Sequence, residues 1–490
     1  MGCCFLRLYI KKQILELLDT LADGIVYIRE KPEPMLKNCI DAVTSIKALL
    51  QSEQDVEAVS KADRLLKNLK NMKASEIKSS DFQDICNKIK PEIKTLKLFI
   101  KENVKTQYEI AFFPYKVSMW DSMESIWRAA NNDPDCICYV VPIPYYSKKD
   151  GSKAEYFYEG SLYPDDVPVV HYSLYDVQKH HPDIVYIHNP YDNNNYVTQV
   201  DEKYFAENLK KSTDMLVYVP YFVYGSYRNI DEIKTMAIVP GTVYADRVIA
   251  QSEYQKKLFT KLGLNEGKML VAGSPKFDAV LRAEEQPHEI PKEWEEKLKG
   301  KKIFLWNTTI RAMLENPGWL EKSGQLMDIL TQCPECALIW RPHPLLKETI
   351  KSMRPAYLEP YLNLAKEVMA KSNAVIDLTG NAYISMAVSD AIVSDYSSIM
   401  LQYAVTGKPI LCLDRKSSML KNSICIFDYS EDYFLENGMT IKRFRDMVLK
   451  GEDPKKRERL KVTEKSIANI DGACGQKVHT LIKQEACNNL

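Results

Sequence analysis

The sequence predicts an α/β protein built from two doubly wound domains behind an N-terminal α-helical region. Residues 11–105 repeat apolar side chains at steps of three and four with almost no strand signal. After Gln107 short β-rich runs alternate with helical segments, and the alternation starts again beyond a Pro-rich, charged stretch from Glu284 to Lys302. Runs apolar on both faces and separated by helices fit parallel strands covered on both sides. At 490 residues the chain also exceeds one core of about 100 to 200 residues.

In the helical region Val59, Ala62, Leu66 and Leu69 form one stripe, and Phe82, Ile85, Ile89, Ile93, Leu96 and Ile100 another. Pro32 and Pro34 separate a first helix from a second, and Lys73–Asp81 reads as a polar link to a third. Between Lys61 and Lys105 stand twelve basic and six acidic residues. This excess suits an anionic membrane surface or polymer, with a solvated helix face as the plainer alternative.

Strands are expected at Glu109–Pro114, Cys136–Val141, Ile184–His188, Met215–Val219, Arg247–Ala250 and Met269–Ala272. A second set follows at Ile303–Trp306, Ala337–Trp340, Ala374–Asp377, Ala391–Ser394 and Ile410–Leu413. With Glu284–Lys302 read as a linker, the domains are placed at 1–105 (helical, membrane or partner contact), 106–284 (acceptor) and 285–490 (donor).

Composition limits the partners. With 66 basic and 66 acidic residues the chain has no net field for collecting nucleic acid, so no nucleic-acid partner is expected. The longest apolar runs, Ile110–Pro114 and Leu216–Tyr224, fall far short of the roughly 18 residues that span a bilayer. The start Met1–Leu6 lacks a signal peptide's apolar stretch and the Ser/Thr of a myristoylation site, so a cytoplasmic location is expected, with peripheral contact at the inner face of the membrane. Cys3 and Cys4 keep lipidation open, against the plainer reading of an irregular start. Among the 12 cysteines, the pairs Cys136/Cys138 and Cys333/Cys336 have no second pair at zinc spacing and read as free thiols.

Four segments carry chemistry. In Ser389–Ser398 a buried strand ends in the turn Asp395-Tyr396-Ser397-Ser398 and passes into the helical run Ile399–Val405. Free N–H groups at a helix start favour an anion, and the Ser397 and Ser398 hydroxyls add donors; a simple helix cap by Asp395 or a serine is the alternative. Trp340-Arg341-Pro342-His343-Pro344 ends another strand, where the prolines would aim Arg341 and His343 out of the sheet edge toward phosphate oxygens. Asn307-Thr308-Thr309-Ile310-Arg311 adds hydroxyls and a guanidinium at the same edge. Gly273-Ser274-Pro275-Lys276-Phe277-Asp278 closes the preceding domain and brings Lys276 toward it.

The order of these motifs, followed by Gly407-Lys408-Pro409-Ile410, resembles the CDP-glycerol glycerophosphotransferase family of bacterial teichoic-acid synthesis over about residues 215–415. The resemblance implies a GT-B fold, a pair of Rossmann-like domains facing across a cleft, although fold alone does not fix chemistry. It implies transfer of glycerol phosphate from CDP-glycerol to a polyol-phosphate or glycan acceptor, lipid-linked, with release of CMP. Lys276, Thr308, Thr309, Arg311, Arg341, His343, Asp395, Ser397, Ser398 and Gln402 then become donor contacts. Lys276 stands where the family usually has Arg, and Gln402 where it usually has Asp.

The family's Trp-His-Gly motif, whose His is taken as general base, has no counterpart in Leu216–Gly225. The local candidate is His188, at the end of Ile184–His188, with Asp192 orienting it and His343 offsetting charge on the departing phosphate. No acidic metal cluster is evident, so a reaction without metal or other cofactor is expected. Two alternatives stay open: a GT-B glycosyltransferase using a nucleotide sugar, and a non-catalytic nucleotide-binding subunit of a wall-polymer assembly.

Overall fold

The computed structural model describes residues 5–52, 55–73, 77–78, 82–227, 229–285, 290–413, 424–427 and 439–488. Cys3 and Cys4, and most of the link 73–81, lie outside them. A short strand, β1 (Phe5–Arg7), leads into a helical region whose described helices include α1 (Leu8–Gly24), α2 (Pro32–Ser52), α3 (Val56–Lys70) and α4 (Phe82–Asn103). Pro32 opens α2, where its missing N–H costs nothing, and Asp55 caps α3 by accepting from the Ala58 N–H. Their apolar stripes meet in a separate core that includes Ile14, Leu18, Val43, Ile46, Leu69 and Ile93.

β1 is unforeseen in the sequence. It pairs in parallel with the start of β2 (Lys105–Phe113), Phe5 opposite Lys105, and so ties the bundle to the first sheet. The buried Lys11 adds to the tie, its Nζ donating to Lys101 O, Val104 O and Thr106 Oγ1. It thereby satisfies carbonyls at the end of α4 that would otherwise face no donor.

The first sheet runs β3-β2-β6-β8-β10-β11, with β1 beside β2 and every pair parallel. Its further strands are β3 (Cys136–Val140), β6 (Ile184–Ile187), β8 (Met215–Tyr218), β10 (Arg247–Ala250) and β11 (Met269–Val271). Three strands, β4 (Tyr145–Lys149), β5 (Ser152–Phe157) and β7 (Thr198–Val200), form a small antiparallel sheet. A two-stranded pair joins β9 (Ser226–Tyr227) to β17 (Ile424–Cys425).

The second sheet, all parallel, has the order β14-β13-β12-β15-β16. Its members are β12 (Lys302–Thr308), β13 (Cys336–Pro342), β14 (Ala374–Ile376), β15 (Ala391–Ser394) and β16 (Ile410–Cys412). The order reverses between β12 and β15, and in the first sheet between β2 and β6. Open α/β sheets bind ligands at such switch points, outside the carboxyl ends of the strands.

Six helices matter for the site: α5 (Glu124–Asn131), α6 (Pro275–Glu285), α7 (Ile310–Glu315), α8 (Tyr383–Val388), α9 (Ser398–Tyr403) and α10 (Cys474–Asn488). The stretch 284–302, expected as a linker, carries the helix Lys292–Leu298, whose Trp294 and Leu298 are buried in the second sheet's core. α10 returns to the first sheet and packs on α5 so closely that a Cβ on Gly475 would lie 2.3 Å from the Ser125 carbonyl carbon. Asp278 on α6 accepts from the Cys474 and Gly475 N–H groups at its start. Asp133 accepts from His479 Nε2 (2.8 Å) and Lys483 Nζ (2.7 Å) further along. Among the described residues no helix is long and apolar enough to cross a membrane.

Candidate active site

The second sheet's switch point gathers most of the expected donor residues. Asn307, near the end of β12, donates from Nδ2 to Ser394 Oγ (2.9 Å) and Ser397 Oγ (3.1 Å) at the end of β15. Asp395 accepts at Oδ2 from the Thr309 N–H (2.9 Å) and Thr309 Oγ1 (3.3 Å). The His343 N–H donates to Thr308 O. The ends of β12 and β15 are thus laced together by side chains, and the end of β13 joins β12 through the main chain.

Within this lacing several side chains serve the protein itself. Ser397 caps α9, accepting from the Met400 N–H, and Thr309 caps α7, accepting from the Ala312 N–H. Thr308 Oγ1 accepts from Trp340 Nε1 and is buried. Gln402, also buried, donates from Nε2 to Ser398 O. Arg311 Nε lies 3.8 Å from Glu315. Ser398 and His343 are the exposed members of the set. His343 Nδ1 accepts from the Leu345 N–H, which puts the ring proton on Nε2, and partial burial lowers its basicity.

Arg341 departs from its expected direction. It lies inside β13, buried, with Nη1 bonded to Asp377 and Nη2 donating to Thr379 O at 2.9 Å. Asp377 also accepts from Ser385 on α8. Strand alternation and Asp377 decide where the guanidinium goes.

Lys276, on α6, donates to Asp121 Oδ2 at 2.5 Å. Asp121 belongs to the turn Val117–Ser122 after β2, at the first sheet's switch point. Tyr383, the first residue of α8, donates to the same oxygen. Burial and the neighbouring Asp121 hold that phenol far above the usual tyrosine range. Asp121, Asp377 and Tyr383 were not foreseen as parts of the site, and Asn307, although within an expected segment, was given no role. Asp377 lies 36 residues from Arg341, and Asp121 lies 155 from Lys276 and 262 from Tyr383, so no spacing rule marks them.

His188 sits at the same switch point, just beyond β6, and is fully buried. Its Nε2 accepts from the Tyr115 N–H (3.0 Å) and its Nδ1 lies 3.2 Å from Ser122 Oγ, which in turn donates to Met119 O. Burial pushes its pKa down to about 3, with Lys276 nearby acting the same way. The expectation of a base open to an acceptor is corrected here, because both ring nitrogens are engaged. The pairing with Asp192 is corrected too: Asp192 accepts from the Ala206 N–H at 3.1 and 3.0 Å.

Two parallel doubly wound sheets joined across their switch points, with the last helix returned to the first sheet, define a GT-B-type α/β protein with a helical N-terminal region. Residues 241–483 match the family model for CDP-Glycerol:Poly(glycerophosphate) glycerophosphotransferase. Through that segment, just under half of its length, the chain is similar to the CDP-glycerol glycerophosphotransferase family.

Among solved structures, a Listeria monocytogenes protein assigned as a UDP-N-acetylglucosamine 2-epimerase is 14% identical with a TM-score of 0.51, over 77% of this chain and 96% of that one. The wall teichoic acid polymerase TagF is 15% identical with a TM-score of 0.49, over 89% of this chain and 99% of its own. UDP-GlcNAc 2-epimerase from Neisseria meningitidis, bound to UDP-GlcNAc, is 12% identical with a TM-score of 0.47, over 78% and 100%. At 14% identity the first likeness concerns the fold. No curated protein matches the sequence.

Proposed function

We propose that the protein transfers glycerol phosphate from CDP-glycerol to a hydroxyl of a cell-surface polymer or lipid-linked acceptor, releasing CMP. The observation that carries this reading is the bonding of Thr308, Thr309, His343, Asp395 and Ser397 at the second sheet's switch point, within the segment that matches this family model. Residues 285–490 would hold the donor and 106–284 the acceptor. The helical region 1–105, with Lys88, Lys90 and Lys94 exposed on α4, would meet the membrane surface or the polymer.

In this reading the acceptor oxygen bonds to the β-phosphorus while the bond from that phosphorus to the bridging oxygen breaks, and CMP leaves with the hydroxyl's proton on its phosphate. The protein's part is positioning and charge compensation. His343 donates from Nε2 to a phosphate oxygen as a neutral imidazole, and Ser398 offers its hydroxyl and first-turn N–H. Lys276 supplies the positive charge. His188, with both nitrogens engaged, would hold the turn Val117–Ser122 in place rather than take the acceptor's proton.

The test is CMP release from CDP-glycerol by the full chain, with polyol-phosphate and glycolipid acceptors in parallel. UDP- and CDP-sugars serve as competing donors. Absence of CMP release with every acceptor, or release unchanged in His343→Ala, would sink this reading.

A further inference from the structure

Of the three cations assigned to the donor's phosphates from the sequence, Lys276 and Arg341 are already paired with largely buried carboxylates. Arg341 is held by Asp377, and Lys276 Nζ lies 2.5 Å from Asp121 Oδ2. The two pairs meet on one short helix: α8 gives Ser385 to Asp377 and Tyr383 to Asp121. Their origins differ. Asp377 follows β14 in Arg341's own sheet, whereas Asp121 and Lys276 follow β2 and β11 of the first sheet, and Tyr383 on α8 meets Asp121 from the second.

Asp121 is also incompletely satisfied. Its Oδ2 takes both donors while Oδ1 is buried without a hydrogen-bond partner. The side chains of Lys276 and Asp121 are only 10% and 15% exposed, so water and salt screen the pair little. A lysine so held is neutralised in advance, and an incoming anion must displace a carboxylate to reach it.

We propose that Asp121 is a positioning residue that competes with the donor's diphosphate for Lys276, so that donor binding on the second sheet releases the turn Val117–Ser122 on the first. The proposal rests on the donor reading above and adds an order to it. A diphosphate carries more charge than one carboxylate and takes the ammonium from it. Ser122, the next residue, holds His188 Nδ1, so the released turn reaches into the acceptor side of the cleft. Donor therefore binds first, and the acceptor side is completed second.

Asp121→Asn keeps the shape and removes the charge. Calorimetry on the full chain, with inorganic pyrophosphate and CDP-glycerol as separate probes, is expected to show binding about tenfold tighter than in the parent. In turnover the gain appears as a lower KM for CDP-glycerol without a higher kcat. In a Lys276→Met background the same change gives no gain. Tyr383→Phe leaves the carboxylate to Lys276 alone and is expected to weaken binding about two- to threefold, an opposite sign that keeps the test decisive if Asp121→Asn does not fold.

Equal or weaker binding by a folded Asp121→Asn chain, or a gain that persists in Lys276→Met, overturns the proposal. Pyrophosphate binding with the expected differences but no CDP-glycerol binding sustains the competition and removes the donor reading. CDP-glycerol binding indifferent to Asp121→Asn and Tyr383→Phe does the reverse. Binding of neither probe overturns both.

Discussion

The amide of Tyr115 donates to His188 Nε2 at 3.0 Å and thereby fixes the proton of that buried imidazole on Nδ1, facing Ser122. A ring held this way is neutral because its surroundings cannot solvate a charge. His188→Ala should cost about 1 to 3 kcal/mol in urea unfolding, since it leaves the Tyr115 N–H buried without an acceptor. Its kcat per folded molecule should change by less than about tenfold, whereas losing a general base costs about 100- to 10,000-fold.

The same histidine sets a pH dependence. Its folded pKa of about 3 lies below the unfolded value near 6.5, so the unfolded chain binds the extra proton between the two. Its contribution to stability is complete above about pH 6.5 and is lost as pH falls from there toward 3. In NMR titration the His188 ring should show no inflection between about pH 5 and 8, while His343, exposed at the cleft, should titrate below the ordinary histidine value.

Asn307 bridges β12 to β15 through Ser394 and Ser397. Asn307→Ala removes both bonds and frees the cap of α9, at about 1 to 2 kcal/mol of stability. Donor binding by calorimetry should weaken by about tenfold, because the edge that presents Ser398 loses its anchor. An unchanged dissociation constant in a variant of lowered stability would separate the lacing from the site.

Arg341 and Asp377 are buried together, and their removal is unequal. Asp377→Asn leaves a buried guanidinium without its counter-charge and should cost about 3 to 5 kcal/mol in denaturant unfolding. Arg341→Met with Asp377→Asn together should cost less than Asp377→Asn alone. A double variant as damaged as the sum of the singles would show that the two act independently.

Asp133 holds α10 through His479 and Lys483. Burial raises its pKa, but those bonds outweigh it and bring the carboxyl down to about 2. The folded value is below the unfolded value of about 3.9, so this stabilisation is present above pH 4 or so and fades as pH falls toward 2. Asp133→Asn should flatten that part of the acid-unfolding curve and loosen α10, read by hydrogen exchange at residues 474–488.

Much of this was legible in the sequence where one rule acts locally. Runs such as Ile184–Ile187 and Ala391–Ser394 are buried on both faces and read as parallel strands, and the stripe Phe82–Ile100 reads as a helix. β4 and β5 were missed because Tyr145–Lys149 and Ser152–Phe157 carry few aliphatic residues, and β1 because three residues hold no period. The donor motifs were found because their residues cluster at strand ends. The directions of Arg341 and Lys276 were not, since Asp377 and Asp121 reach them from 36 and 155 residues away. His188 was read as open because a strand-end histidine looks the same whether a backbone amide covers it or not.

The return of α10 to α5 also has a consequence for the making of the chain. Gly475 lies flush against the backbone at Ser125, some 350 residues earlier in the order of synthesis. While the ribosome is still reading the second sheet's strands, the α5 face of the first sheet stays uncovered, with Ile126 and Ala130 awaiting Val478 and Ile482. The first sheet starts folding early and closes last. An arrest of translation between residues 412 and 474 should therefore leave a nascent chain with that apolar face exposed and prone to association, although the second sheet's strands are already complete.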